Sequence, residues 1–553
     1  MKKVFFLLWL IPIVSIGQIV PDSILERIDN LFAKYNTTTP GYAAAILKGD
    51  QVIFKKGYGM ANLEYNIPIT PSSIFHIASL SKQVTAFSIL LLEDQGKLSL
   101  DDDIRNYLDY IPDFERKITI KHLIYHTSGL RDQWHLLYNA GWQSSDVITQ
   151  DQIIKLISRQ KRLNFNPGDE FLYCNTGYTL LAEIIKNVSG LTLRQFTDKY
   201  IFKPLGMNDT HFQDDYREIV KGRAYSYVPK GKNDYMNSAL SFSTVGATSM
   251  FTTVEDETKW MMNYLSGKVG GMNLVDKMFE TAVLNNGKRI EYAFGIYNSK
   301  YNGWRMVYHT GSDAGYRTYF CLLPETQFGV VVFSNFSTSN TSVIGKKLVD
   351  IFVKSKEDPP NMNHITDSTF LKRLCGTYFS DRGSIIRLIW EENKLISRTP
   401  GQTTGGIEFQ LIQNEKNLYL IKSVGTLTII DPVVKDSIAK IVIETPNDVT
   451  IYNRKKSMTI DPEEQKEYKG DYYSNETGTT YTIDEKDGKL IIKNLKYSDV
   501  ELNPFAKDHF STVYGWMSTI KFVRNKKEQI LGFEVNSGRI LHLFYGKVKN
   551  KYE

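Results

Sequence analysis

The sequence predicts an α/β or α+β domain built on an antiparallel sheet with a helical subdomain, followed by two all-β, barrel-like modules. Three observations predict it. Strand patterns stand at both ends of residues 18–355, with amphipathic helices between them. A polar run with two adjacent prolines, "KSKEDPPNMNH" at 354–364, then breaks the chain. Beyond it the helical periodicity gives way to a series of short alternating strands that repeats itself.

Residues 1–17 of "MKKVFFLLWLIPIVSIGQ" carry a basic start at Lys2 and Lys3, an apolar run, and small residues at Ser15 and Gly17. This is the pattern of a secretory signal peptide cleaved near Gly17, too short for a stable membrane anchor. The mature chain is then expected outside the cytoplasm, periplasmic or extracellular. "GYAAAILKGDQVIFKKGYG" reads as two strands around a turn at Gly49 and Asp50. From Ser79 to Gln95, Leu80, Val84, Phe87 and Leu91 fall at helical spacing, with Gly96 as a stop. Residues 179–190 form a second helix ending at Gly190, and residues 306–335 read as strands broken at Gly315 and near Pro324.

A linker is placed at 356–368, a first β module at 369–458 and a second at 465–553. "CGTYFS" at 375–380 is echoed by "KGDYYS" at 469–474, and "ENKLIS" at 392–397 by "DGKLII" at 487–492. Two copies of one antiparallel unit are the simplest account.

Composition bounds the function. With 42% apolar and 23% charged residues the chain is globular. Its formal charge falls from +6 to +4 once Lys2 and Lys3 leave, and the basic residues are scattered, so nucleic acid is not the partner. Cys174, Cys321 and Cys375 make neither a disulfide framework nor a zinc pair, which leaves one bridge, such as Cys321 to Cys375, open. No Gly-x-Ser-x-Gly elbow, Walker loop or HExxH helix occurs.

The chemistry centres on "FHIASLSKQVTAF" at 75–87. Serine holds its proton at neutral pH and needs a base to become a nucleophile. Lys82 lies one helical turn beyond Ser79, on the same face. If buried near a helix N-terminus it loses proton affinity and becomes able to accept the serine proton, while backbone N–H groups there meet a developing oxyanion. Ser-x-x-Lys alone is a common pairing; its company is "HTSG" at 126–129, "NPGDEFLYCNTGY" at 166–178 and "HTGSDAGY" at 309–316.

With these motifs in this order, residues 25–350 resemble the penicillin-recognising serine hydrolases: class C β-lactamases, D,D-carboxypeptidases, D-aminopeptidases and related esterases. The resemblance implies a serine β-lactamase-like fold in which Ser79 is acylated and Lys82 and Tyr173 share proton transfer. It also implies that Asn175 holds the substrate amide and Lys82, that His309, Thr310 and Gly311 form the third motif, and that the N–H groups of Ser79 and Ser312 make the oxyanion hole. No metal or organic cofactor is implied. The expected substrates are small peptides, amides or esters, with peptidoglycan fragments among them.

His309 stands where many relatives carry lysine, and a neutral imidazole does not dock a carboxylate as an ammonium does. This favours the D-aminopeptidase-like branch, which the paired β modules also resemble; an esterase or a weak β-lactamase is the alternative. Arg317 is expected at the surface rather than as a replacement cation. His126 of "HTSG" is expected to be a buried hydrogen-bonding residue in a structural turn. From the residues, Tyr173 beside a lysine ammonium is expected to be drawn toward phenolate. The β modules are expected either to shape the mouth of the active site or to act as spacers. A chain whose first domain is inert and whose modules bind cell wall is the remaining, non-enzymatic reading.

Overall fold

The computed structural model describes residues 20–548 apart from 232, 358–362, 365–366, 400, 403–405, 409–410, 414–418, 422–425, 432–438 and 446. The expected signal peptide, residues 1–17, lies outside the described residues, as do parts of the expected linker.

The chain opens with helix α1 (Asp22–Phe32), then strands β1 (Tyr42–Lys48) and β2 (Gln51–Tyr58) and helix α2 (Ser81–Asp94). Helices α3 (Gln133–Asn139), α4 (Asn175–Ser189) and α5 (Val254–Ser266) come next. Strands β3 (Tyr297–Tyr301), β4 (Trp304–Asp313), β5 (Tyr316–Leu323) and β6 (Phe328–Ser334) and helix α6 (Thr341–Phe352) complete the domain. The sheet is antiparallel in the order β3-β4-β5-β6-β1-β2, so the two ends of the domain meet where β1 pairs with β6, Tyr42 opposite Ser334.

Both faces of this sheet are covered, which is why β1 reads "YAAAIL" without polar alternation. Ala43, Ala45 and Leu47 join a core with α2, α4 and α5, while Tyr42, Ala44 and Ile46 join one with α1 and α6. Helix α2 is buried from Ser81 to Leu92 on every side, so its polar residues Lys82, Gln83, Thr85 and Ser88 must find partners inside the protein.

The repeat is visible in the structure. Asp367 and Asp461 each cap a short helix, accepting from the N–H of Thr369 and Glu463. Each helix leads into a strand, Gly376–Ser380 or Gly470–Ser474, whose tyrosine hydroxyl donates back to the helix end: Tyr378 to Leu374 O at 2.9 Å and Tyr472 to Tyr468 O at 2.7 Å. In both modules this first strand also pairs with the last, as closure into a barrel requires. Among the described residues neither ring closes fully. In the second module the open seam lies between Tyr497–Glu501 and Asn503–Ala506, the two edges of a nine-stranded sheet.

The two copies sit differently. The first has its own core of Leu371, Leu374, Tyr378, Leu388 and Leu395. The second shares a single continuous core with the catalytic domain, through Tyr472, Tyr481, Phe522, Phe533 and Tyr545. Tyr545 and Tyr481 both donate to Asn139 O at the end of α3, at 2.9 and 3.2 Å. Arg131, fully buried just before α3, pairs with Glu476 and donates to Leu541 O and His542 O at 3.1 and 3.0 Å. All three cysteines are free thiols, so no Cys321 to Cys375 bridge exists.

Candidate active site

Ser79 lies in a 3-10 turn, Ala78–Leu80, that runs directly into α2. Ala78 before it has φ 51°, a left-handed conformation that costs a residue with a Cβ free energy. The turn is held from both sides: Ser81 Oγ donates to Ala78 O at 2.6 Å and accepts from Met250 N–H at 3.1 Å. Strand β4 lies against it. A Cβ at Gly311 would stand 2.3 Å from Ile77 O and 2.1 Å from Thr318 Oγ1, so glycine alone permits this approach.

One turn along, the Lys82 ammonium donates to Ser79 Oγ at 3.1 Å, Asn175 Oδ1 at 2.9 Å and Ala247 O at 2.7 Å. Burial pushes its pKa down to about 7, against the nearby carboxylates Asp313 and Asp132. Asn175 is the first residue of α4, and its N–H and Nδ2 both donate to Asp132 Oδ2 at 2.8 Å. Asp132 in turn caps α3, its Oδ1 accepting from Trp134 N–H at 3.0 Å. Burial, which raises the Asp132 carboxyl, is outweighed by Arg539, His135 and the Asn175 hydrogen bonds, leaving it below the ordinary range.

Tyr173 packs on His126, with ring centroids 4.2 Å apart, and its buried hydroxyl has no hydrogen-bond partner among the described residues. Burial holds this phenol well above its ordinary pKa, although Ser79 and Arg539 act the other way. The expectation of a phenol drawn toward phenolate is therefore corrected: desolvation of the anion outweighs the cation 5.0 Å from the ring. Tyr173 rests as a neutral phenol.

His309 is buried in β4, its Nδ1 2.6 Å from Thr310 O and its Nε2 3.3 Å from the Tyr292 hydroxyl. The carbonyl requires the proton on Nδ1, so Nε2 accepts from Tyr292. Burial and then the Lys82 ammonium push its pKa down to about 3, so the imidazole is neutral. Thr310 and Ser312 alternate with His309 and Gly311 along β4 and face outward into the cavity.

That cavity, of about 320 Å³, brings Ser79, Tyr173, Asn175, His309, Thr310 and Ser312 together. Lys82 sits beneath it, and Gly311 forms the close contact behind it. His126 bonds Cys174 at 3.1 Å, behind Tyr173. Arg317 donates to Ala314 O and Tyr316 O and is not in the cavity wall.

Sequence reasoning missed Trp134, Thr248, Tyr297, Asp313 and Arg539, which also line the cavity, and Asp132 beneath it. "RDQW" directly after "HTSGL" was the one available signal for Asp132 and Trp134. Asp313 bonds Thr248, and burial raises its carboxyl to about 6. Arg539 arrives from the second β module, in the turn between Ile530–Asn536 and Leu543–Lys547.

Penicillin-binding protein 4* of Bacillus subtilis is 26% identical over 405 residues, spanning 68% of this chain and 87% of that protein. A D-aminopeptidase of Gluconobacter oxydans is 25% identical over 298 residues, spanning 54% of this chain but only 56% of the relative. Among solved structures, the octameric penicillin-binding protein homologue from Pyrococcus abyssi superposes with a TM-score of 0.55 at 23% identity, covering 86% of this chain and 99% of that one. The Beta-lactamase family model matches residues 28–351, more than half of the sequence, and the chain belongs to that family of serine hydrolases.

Proposed function

We propose that the protein is an exported peptidase or amidase that works through an acyl-enzyme on Ser79, acting on short peptides that contain D-residues, peptidoglycan fragments among them. The observation that carries the reading is the Lys82 nitrogen 3.1 Å from Ser79 Oγ, buried enough to lose its proton near neutral pH. In the free-amine form Lys82 takes the Ser79 proton as Oγ bonds to the substrate carbonyl carbon. The N–H groups of Ser79 and Ser312 receive the oxyanion. As the C–N bond breaks, the Tyr173 hydroxyl gives its proton to the leaving amine and is refilled from the Lys82 ammonium. Water then attacks the acyl ester, and Ser79 recovers its proton. The similarity to a D-aminopeptidase supports an amide substrate, and the apolar leader at residues 1–17 supports export.

The test is release of p-nitroaniline from D-alanine p-nitroanilide beside hydrolysis of p-nitrophenyl butyrate. Anilide turnover that disappears in Ser79→Ala is the expected result. Turnover of the ester alone moves the protein to the esterase branch, and activity retained in Ser79→Ala rejects the mechanism.

The same reading sets a pH dependence. Because the free amine is the active form, kcat/KM for a neutral substrate should rise about tenfold per pH unit below about 7 and level off above it. A profile flat from pH 5 to pH 8 would exclude Lys82 as the base.

A further inference from the structure

The third motif lacks its cation, yet the cavity does not. Arg539 lines it from the second β module, its guanidinium 5.1 Å from the centre of the Tyr173 ring. Half-buried, this guanidinium makes no side-chain hydrogen bond and no ion pair among the described residues. Asp132, a carboxylate it acts on, already has Oδ2 taken by Asn175 and Oδ1 by Trp134 N–H. A planar fork of free N–H donors in a cavity wall is the arrangement that receives a carboxylate in bidentate fashion.

The backbone around Arg539 is fixed. Its carbonyl accepts from Asn164 Nδ2 at 3.1 Å, and Leu541 N–H donates to Asn164 Oδ1 at 2.9 Å. Ser537 Oγ bonds His135 at 3.0 Å, Gly538 N–H donates to Arg382 O at 2.9 Å, and Arg131 holds the carbonyls of Leu541 and His542. The turn is therefore preorganised before any substrate arrives, which lowers the cost of binding.

Position gives the part of the substrate that meets it. Tyr173 hands its proton to the leaving amine, so the residue carrying that amine lies against the Tyr173 ring, on the side of Arg539. Asp313 and Thr248, bonded to each other, also line the cavity. We infer that Arg539 is a specificity-determining residue that docks a carboxylate on the leaving-group side of the substrate, so that the second β module completes the binding site and the preferred peptides end in a free carboxylate. The inference rests on the proposed acyl transfer for its orientation, and its test does not require turnover.

Isothermal titration of Ser79→Ala protein with N-acetyl-D-alanyl-D-alanine and with its C-terminal carboxamide reads the charge preference directly. The acid should bind about ten- to a hundredfold more tightly than the amide, the scale of a charge-assisted hydrogen-bonded pair. Adding Arg539→Ala should remove the difference, Arg539→Lys should keep part of it, and Arg539→Glu should reverse it. Equal binding of acid and amide, no binding of the acid, or a preference that survives Arg539→Ala would overturn the assignment. A protein silent in the anilide and ester assays that still shows an Arg539-dependent preference would sink the proposed reaction and leave the docking site standing.

Discussion

Lys82→Ala is expected to lower kcat/KM by about three to four orders of magnitude, because the proposed mechanism gives Lys82 the Ser79 proton. The loss has a second source. The Lys82 ammonium also satisfies Asn175 Oδ1 and Ala247 O, so its removal leaves two buried acceptors unpaired and frees Asn175 to move. Lys82→Arg separates the two. Arginine restores a cation but cannot give up a proton at any working pH. If Lys82 serves as the base, the arginine variant fails as badly as the alanine variant; if it only positions Ser79 and Asn175, activity returns. Steady-state hydrolysis, with labelling of Ser79 by a fluorophosphonate as a measure of its nucleophilicity, decides between them.

The largest effect on stability is expected at Arg131. Arg131→Ala should destabilise the protein by about 3–5 kcal/mol, the usual cost of leaving one member of a buried ion pair alone. The arginine is wholly buried and the Glu476 side chain only 7% exposed, so water does not reach either to soften the loss. The carbonyls of Leu541 and His542 lose donors in the same step. Denaturant unfolding of Arg131→Ala, Glu476→Ala and the double variant should show the two losses to be far from additive, with the double variant costing less than their sum. Additive losses would mean that the pair is not coupled. Because Arg131 also steadies the turn that carries Arg539, the single variant should lose charge preference at a temperature where it is still folded.

Much of the catalytic domain was legible because its signals are local. The hairpin around Gly49, the helix stop at Gly190 and the breaks at Gly315 and Pro324 depend on backbone preferences that the residues themselves declare. Helix α4 begins at Asn175, four residues before the apolar pattern starts. Asp132, far away in sequence, satisfies the first N–H there, and periodicity does not see such a partner. The cavity shows the same division. Ser79, Lys82, Tyr173, Asn175 and His309 sit in short motifs and Asp132 lies just beyond one, whereas Arg539 reaches the site through docking of an element that shares no motif with it. Burial explains the error on Tyr173: charge proximity can be guessed from neighbouring letters, but the desolvation that opposes it belongs to the assembled core.

The core shared between the catalytic domain and the second module also sets the timing of synthesis. Residues 20–352 leave the ribosome first, yet the apolar face they present to Tyr481, Tyr545 and their neighbours is covered only after those residues have followed. At ordinary elongation rates of about 5–20 residues per second, that face waits roughly 10–40 s for its partner. The nascent chain thus carries Ser79 long before the shared core is closed. A chain that stops before Tyr472 leaves that core uncovered.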